Sequence, residues 1–238
     1  MRVFIGMETS GALRQRFQAL GHDVISCDLL PAEDNGAGHI QGDVFQVLDD
    51  LWPCWWPDLA VFHPTCTYLT NSAAWAFGDG PYHQNVKPGT LVGAARRAAR
   101  DAALNDVRKI IHLPIRRKVI ENPIGAIGTA VAKPHQIIQP YQFGDDASKA
   151  TCLWFFDKHA APALELRLPI DPAKRVAGRI VNGRERWSNQ TDSGQNRLSP
   201  GEDRWKERSR TYSGIADTMA FHFSRVSVLT NDNEGIFS

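Results

Sequence analysis

Two hydrophobic periods alternate along this chain. Residues 2–7 form a short apolar run that ends in the polar turn Glu8-Thr9-Ser10-Gly11. Leu13, Phe17 and Leu20 then recur at helical spacing. The pattern predicts a strand, then a helix over residues 12–20 with Ser10 as its cap and Gly21-His22 as its end. Val24-Ile25-Ser26-Cys27 reads as a second strand closed by Asp28, which completes a strand–helix–strand unit. After a loop over residues 32–38, Gly42-Asp43 leads into a short helix over residues 44–51, broken by Trp52-Pro53-Cys54-Trp55-Trp56-Pro57. Residues 59–62 and 118–121 are further apolar strands, separated by a long aperiodic segment (67–90) and an alanine- and arginine-rich helix over residues 91–113.

The later chain is less regular. Residues 137–143 and 151–156 read as two strands of a late hairpin around Gly144-Asp145-Asp146. Residues 162–210 are polar, basic and rich in turn residues, and no element is assigned there. A short helix is predicted over residues 215–223, and residues 231–238 read as a frayed tail beyond a single domain over residues 1–230. Strands alternating with helices imply an α/β fold with a mostly parallel sheet and helices on both faces.

Composition narrows the class. A chain of 238 residues supports one α/β domain with a sizeable core. A net charge of +1 is not that of a protein that coats nucleic acid, so any such contact is local. Basic residues do cluster, with eight Lys and Arg from Arg96 to Lys118 and nine from Arg175 to Arg210. Such runs are solvated surface or a polyanion contact. The four cysteines form no C-x-x-C pair, which argues against a zinc ribbon, and no clustered acidic site points to a metal-dependent nuclease. With no apolar run of membrane-span length and no signal-peptide pattern, the expectation is a cytoplasmic protein with reduced thiols and no membrane partner.

The candidate chemistry lies at strand ends. Glu8 and Asp28 stand about 20 residues apart, the separation expected between a first cofactor-binding turn and a ribose-binding acid. Asp28 is placed to bridge ribose hydroxyls and Asp43 to contact an adenine amino group. Cys66 follows the break His63-Pro64-Thr65 after one strand, and Glu121 ends another before Asn122-Pro123. In open α/β sheets that edge binds ligands. A thiolate there is a nucleophile, and His63 is its candidate neighbour. A Glu held in this way donates a proton to a ring nitrogen when burial raises its pKa. Cys27, Cys54 and Cys152 are read as core filler.

These segments, in this order, resemble cytosine-5 DNA methyltransferases, including the small methyltransferase-like proteins of phages and prophages. Glu8-Thr9-Ser10-Gly11-Ala12-Leu13 is similar to a degenerate first motif, Gly42-Asp43-Val44 to the adenine-contacting segment, Pro64-Thr65-Cys66 to the Pro-Pro-Cys loop and Glu121-Asn122-Pro123 to Glu-Asn-Val. Arg184-Glu185-Arg186 is a possible remnant of the Gln-x-Arg-x-Arg motif. Arg197-Leu198-Ser199-Pro200 with Glu202 and Arg204 is similar to the penultimate motif, and Gly214-Ile215-Ala216 stands in place of the last. Ser148-Lys149-Ala150-Thr151 with Leu153-Trp154 is similar to a segment of the phage group.

The resemblance implies a Rossmann-like methyltransferase fold and transfer of a methyl group from S-adenosylmethionine to carbon 5 of cytosine. It assigns catalysis to Cys66 and Glu121. The cofactor falls to Glu8, Ser10, Gly11, Asp28, Asp43, His63 and Pro64, and the substrate to Asn122, Pro123, Lys149, Arg184 and Arg186. Trp75, Phe77 and Tyr82 of the long segment are placed to close over the base. Too few residues separate Arg186 from Arg197 for a target-recognition domain. Three readings therefore stand: a DNA enzyme that borrows a partner for sequence recognition, an enzyme acting on free pyrimidine nucleotides, or a methyltransferase fold that binds without catalysis.

Overall fold

The computed structural model describes residues 1–82, 85–198, 207 and 210–234, with the backbone alone beyond Val226. Seven strands form one sheet in the order β3-β2-β1-β4-β5-β7-β6. They are β1 (Arg2–Gly6), β2 (Asp23–Asp28), β3 (His39–Gln41), β4 (Leu59–Phe62), β5 (Arg117–Pro123), β6 (Gln136–Ile138) and β7 (Thr151–Asp157). The first five pair in parallel, and β7 inserts antiparallel between β5 and β6. Helices cover both faces. The structure is the Rossmann-like α/β fold expected from the alternation of elements.

Period-two alternation explains why the central strands read as unbroken apolar runs. Val3 and Ile5 of β1 pack on one face with Leu13 and Phe17 of α1 (Ala12–Ala19) and Ile215, Met219 and Phe223 of the C-terminal helix (Ser213–Glu234). Phe4 and Phe62 pack on the other with Val47 of α2 (Val44–Leu51) and Leu104, Val107 and Ile110 of α3 (Gly93–His112). Strand order reverses between β1 and β4, which opens a crevice at their carboxyl ends. A one-turn helix, α4 (Ile127–Ala130), follows β5, so the C-terminal helix is α5.

Several expectations are corrected. The late hairpin forms, but residues 137–143 are not one strand. β6 stops at Ile138, and Pro140, which has no N–H for a ladder, opens a 3-10 turn over Pro140–Phe143. The N-cap of α1 is Gly11 rather than Ser10, at φ 68°. Cys54 is exposed, because α2 ends at Leu51 and the prolines on either side turn this segment outward. Cys27 and Cys152 are buried, which pushes both thiols up to about 11. The region left unassigned contains a separate two-stranded sheet, β8 (Arg179–Val181) and β9 (Arg184–Arg186). α5 continues to Glu234, into the segment read as a tail. Ser199, Pro200, Glu202 and Arg204 of the penultimate motif, and residues 235–238, lie outside the described residues. Among the described residues no helix is long and apolar enough to cross a membrane.

Candidate active site at the carboxyl edge of the sheet

The β4–β5 register sets the site. Phe62 lies opposite Ile120, so the next residues on each strand, His63 and Glu121, emerge side by side. His63 Nδ1 stands 3.1 Å from Glu121 Oε2, and both side chains are 11 % exposed. The sequence assigned His63 to the cofactor, but its observed partner is Glu121. Burial opposes charge on both groups. The mutual hydrogen bond and attraction overcome it, so His63 rises and Glu121 falls from ordinary values. Glu8 adds to the rise of His63, while Lys149 and Thr151 help hold Glu121 ionised. Glu121 thus moves in the direction opposite to the expected one, because the hydrogen bond and attraction to His63, with the pull of Lys149, outweigh the loss of water.

The two strand-end loops are joined at three further points. Asn122 Nδ2 donates to the Pro64 carbonyl at 2.6 Å. Thr70 bridges Gly125, and the Ala126 N–H donates to the Leu69 carbonyl at 2.7 Å. A Cβ on Gly125 would lie 1.8 Å from that carbonyl oxygen, so only glycine fits this crossing. Between these ties, the Leu69 and Thr70 amides close a turn onto the Cys66 carbonyl, and Cys66 stays partly exposed. Pro123 pairs with Thr151, the first residue of β7. Lys149 approaches from that side, its Nζ donating to the Arg210 carbonyl at 3.2 Å.

On the β1–β2 side of the crevice, Met7 and Glu8 turn away from β1 with Met7 at φ 63°. Glu8 Oε1 accepts from the Ser10 hydroxyl and the Leu13 N–H, whereas Oε2 is buried with no partner among the described residues. Ser10 Oγ in turn accepts the Ala12 N–H. A Cβ on Gly11 would meet Asp34 and Arg14, whose buried ion pair holds the loop after β2 against α1. Asp28 is half-buried at the end of β2, and burial raises its pKa despite the Leu30 and Leu29 amides and His39. Leu29 and Leu30 beside it are exposed. Asp43 caps α2 by accepting the Phe45 and Gln46 amides through Oδ1, so this oxygen is already used.

The remaining candidates are dispersed. Arg184 is exposed on β9, and Arg186 donates to the Asp192 and Glu185 carbonyls within its own hairpin. That hairpin reaches the site region through its flank: Trp187 stacks on Tyr141 at 4.1 Å, and Asn189 clasps the backbone of Ser148, next to Lys149. In the long segment, Trp75 and Tyr82 meet edge to face, while Phe77 lies under the Arg96 and Arg100 guanidiniums of α3. Thr151 and Gly125 went unrecognised as partners of the site. The quoted Ser148-Lys149-Ala150-Thr151 segment already contained the first, and the glycine after Asn122-Pro123-Ile124 was the available signal for the second.

No family model matches the chain, and no curated protein does. Among solved structures, it is similar to a DNA modification methyltransferase encoded within a prophage of E. coli, at 13 % identity and a TM-score of 0.41, over 73 % of this chain and 49 % of that one. It is also similar to a mutant of Spodoptera frugiperda DNMT2, at 12 % identity and a TM-score of 0.37, over 66 % of this chain and 50 % of that one. The chain thus spans about half the length of each.

Proposed function

We propose that this protein transfers a methyl group from S-adenosylmethionine to carbon 5 of cytosine in DNA, with Cys66 as nucleophile and Glu121 as the group that protonates the ring. The observation that carries this reading is the convergence of two loops from adjacent strands. Cys66 follows β4, Glu121 lies two residues before the end of β5, and four ties join the two segments. Reactions that need a nucleophile and an acid on one ring gain most from such fixed placement.

The opposite wall fits the cofactor. The unpartnered buried oxygen of Glu8 suits an ammonium, Asp28 suits hydroxyl donors, and exposed Leu29 and Leu30 offer an apolar surface to an adenine ring. Ser10 and Gly11 shape this wall, His63 and Pro64 border it from β4, and Asp43 keeps only Oδ2 for an amino group. When bound, S-adenosylmethionine supplies an electrophilic methyl group. The chain's own residues do the rest. Cys66 thiolate adds to carbon 6 of the cytosine, which must leave the duplex stack to be reached. Glu121 binds nitrogen 3, and the added electron density makes carbon 5 nucleophilic. Carbon 5 takes the methyl group, and passage of its proton to solvent then expels the thiolate as the carbon 5–carbon 6 double bond re-forms. Asn122 and Pro123 shape the floor, Lys149 faces the base or its phosphate, and Arg184 and Arg186 offer charge to the DNA backbone.

A second substrate, the free pyrimidine nucleotide, is favoured by one observation: the excursion before Arg197 is a hairpin of two three-residue strands, a small surface for reading bases. On DNA, a hairpin this small would rely on a partner protein for sequence recognition.

Calorimetric titration of S-adenosylmethionine, followed by labelled methyl transfer to cytosine-containing DNA and to deoxycytidine nucleotides, tests both readings. We expect binding that Asp28→Ala weakens, and transfer to one substrate class that Cys66→Ala abolishes. Binding without transfer to either class would leave a binding protein. Full turnover by Cys66→Ala would remove the thiol from the reaction.

A further inference from the structure

Glu121 presents a chemical difficulty. Buried and paired, it is ionised at neutral pH and has no proton of its own to give. The proton of the pair lies on His63, whose Nδ1 faces Glu121 while Nε2 is buried with no partner among the described residues. We propose that His63 is a positioning residue that acts through Glu121, orienting its carboxylate and holding the proton that Glu121 delivers to ring nitrogen 3 of the substrate. This role rests on the reading of Cys66 and Glu121 as the reacting pair.

The transfer balances within the site. As the Cys66 sulfur–carbon 6 bond forms, the ring's carbon 5–carbon 6 π pair moves toward nitrogen 3. The Nδ1–H bond of His63 breaks and an O–H bond forms on Glu121. That O–H bond breaks in turn as the nitrogen 3–H bond forms, leaving His63 neutral and Glu121 ionised. Carbon 5 spends that pair on its bond to the transferred methyl group as the methyl–sulfonium bond breaks. The carbon 5–H bond then breaks, its proton passing to solvent. Its pair re-forms the carbon 5–carbon 6 double bond as the carbon 6–sulfur bond breaks and the thiolate departs. The nitrogen 3 proton returns to Glu121 and then to His63.

The surroundings suit a group that gains and loses one proton. The titratable and charged groups facing His63 come from three elements: Glu8 beyond β1, Glu121 on β5 and Lys149 before β7. Two carboxylates against one ammonium favour the imidazolium at rest. Neutral His63 is also tolerated, since burial itself favours that form. Pro64 and Asn122 fix the pair by their own bond, so neither side chain needs to swing.

Two readouts on the full-length protein test this. In the first, imidazole NMR follows the titration of His63, assigned by sequential triple-resonance connectivity, in the wild type and in Glu121→Gln. We expect a midpoint above the ordinary histidine value, falling below it in Glu121→Gln. An ordinary midpoint that Glu121→Gln leaves in place overturns the proposal, and this comparison stands even where His63→Asn fails to fold. In the second, methyl transfer to cytosine-containing DNA is followed against pH. The wild type should lose rate on the alkaline side as the pair loses its proton. His63→Asn keeps a donor near the Nδ1 position but cannot titrate; it should fall about 10²-fold at neutral pH and lose that alkaline limb. A limb that survives in a folded His63→Asn variant overturns the role of His63 alone. A wild type that transfers no methyl group to DNA or to deoxycytidine nucleotides overturns the methyltransferase reading, and this role with it.

Discussion

At the scale of residues, one buried proton joins His63 and Glu121, and its linkage to folding can be measured. His63 has a raised folded pKa, so its contribution is complete below the ordinary 6.5 and is lost as pH climbs through the folded value. Glu121 has a lowered folded pKa, so its contribution is complete above the ordinary 4.5 and is lost as pH falls through the folded value. Between 4.5 and 6.5 both act. Glu121→Gln removes the attraction and leaves a buried imidazole that resists charge. Thermal melts should therefore show the wild type's advantage over this variant to be greatest in that acidic window, shrinking as the pH rises toward 9. An advantage that grows with pH would mean that the two groups do not form an ion pair. Methyl transfer by the folded variant should drop about 10²- to 10⁴-fold, the range of a lost general acid.

At the scale of elements, the nucleophile loop and the loop after β5 act as one unit. Gly125 touches the Leu69 carbonyl where the loops cross, and Ala126 and Thr70 hold the crossing in place. Backbone cannot yield there as a side-chain tip can. Gly125→Ala should push the Cys66 loop away from Glu121 and destabilise the fold by about 1–3 kcal/mol, the usual cost of overpacking. Calorimetry should find cofactor affinity close to that of the wild type, because Glu8, Asp28 and Leu30 stand on other strands. Turnover should fall by more than the lost stability explains. Equal losses of cofactor affinity and turnover would show that the crossing supports the whole crevice rather than the reacting pair.

At the scale of the molecule, the sheet is buried on both faces and β5 carries two buried charges that function does not use, Arg117, paired with Glu165, and Lys118. Lys118 of β5 is fully buried at the amino end of the sheet, away from Glu121, with its Nζ donating to the Leu113 carbonyl. Burial lowers its pKa from 10.5 to about 8, against the pull of Asp157. Between these values the unfolded chain binds more protons, so stability should rise with pH there. Cys27 and Cys152 work in the other direction above 9.0, and the fading His63 contribution opposes Lys118 below it, so from about 8 to 9.0 the share of Lys118 is the difference between the wild type and a variant without the amine. Lys118→Met keeps the length of the stem and removes the charge. Denaturant melts should find it more stable than the wild type at pH 7, by an amount of order 3 kcal/mol, with that advantage shrinking as the pH rises through the interval. A less stable variant would show that the bond to Leu113 outweighs the cost of burying the amine.

Local patterning was sufficient for much of this architecture. Apolar runs bounded by Gly, Asp and Pro marked β1, β2, β4 and β5. Helical spacing marked α1, α2 and α3, and the order of these elements placed Cys66 just past the end of β4; Glu121, read as the end of its strand, lies inside β5, which runs on to Pro123. Such signals are local, because each strand buried on both faces writes its burial into consecutive residues. Short elements left no comparable trace: β3, β8 and β9 have three residues each, too few to show a period, and β6, also of three, reads in the sequence as a longer strand. Non-local pairing was invisible for a different reason. His63 and Glu121 are 58 positions apart and meet only because Phe62 aligns with Ile120 across two parallel strands. That register decided the ionisation of the site. Glu121 alone, buried at a strand end, reads as a carboxylic acid with a raised pKa. With the His63 imidazolium at 3.1 Å it is a carboxylate, because in a buried site the nearest opposite charge outweighs the loss of water.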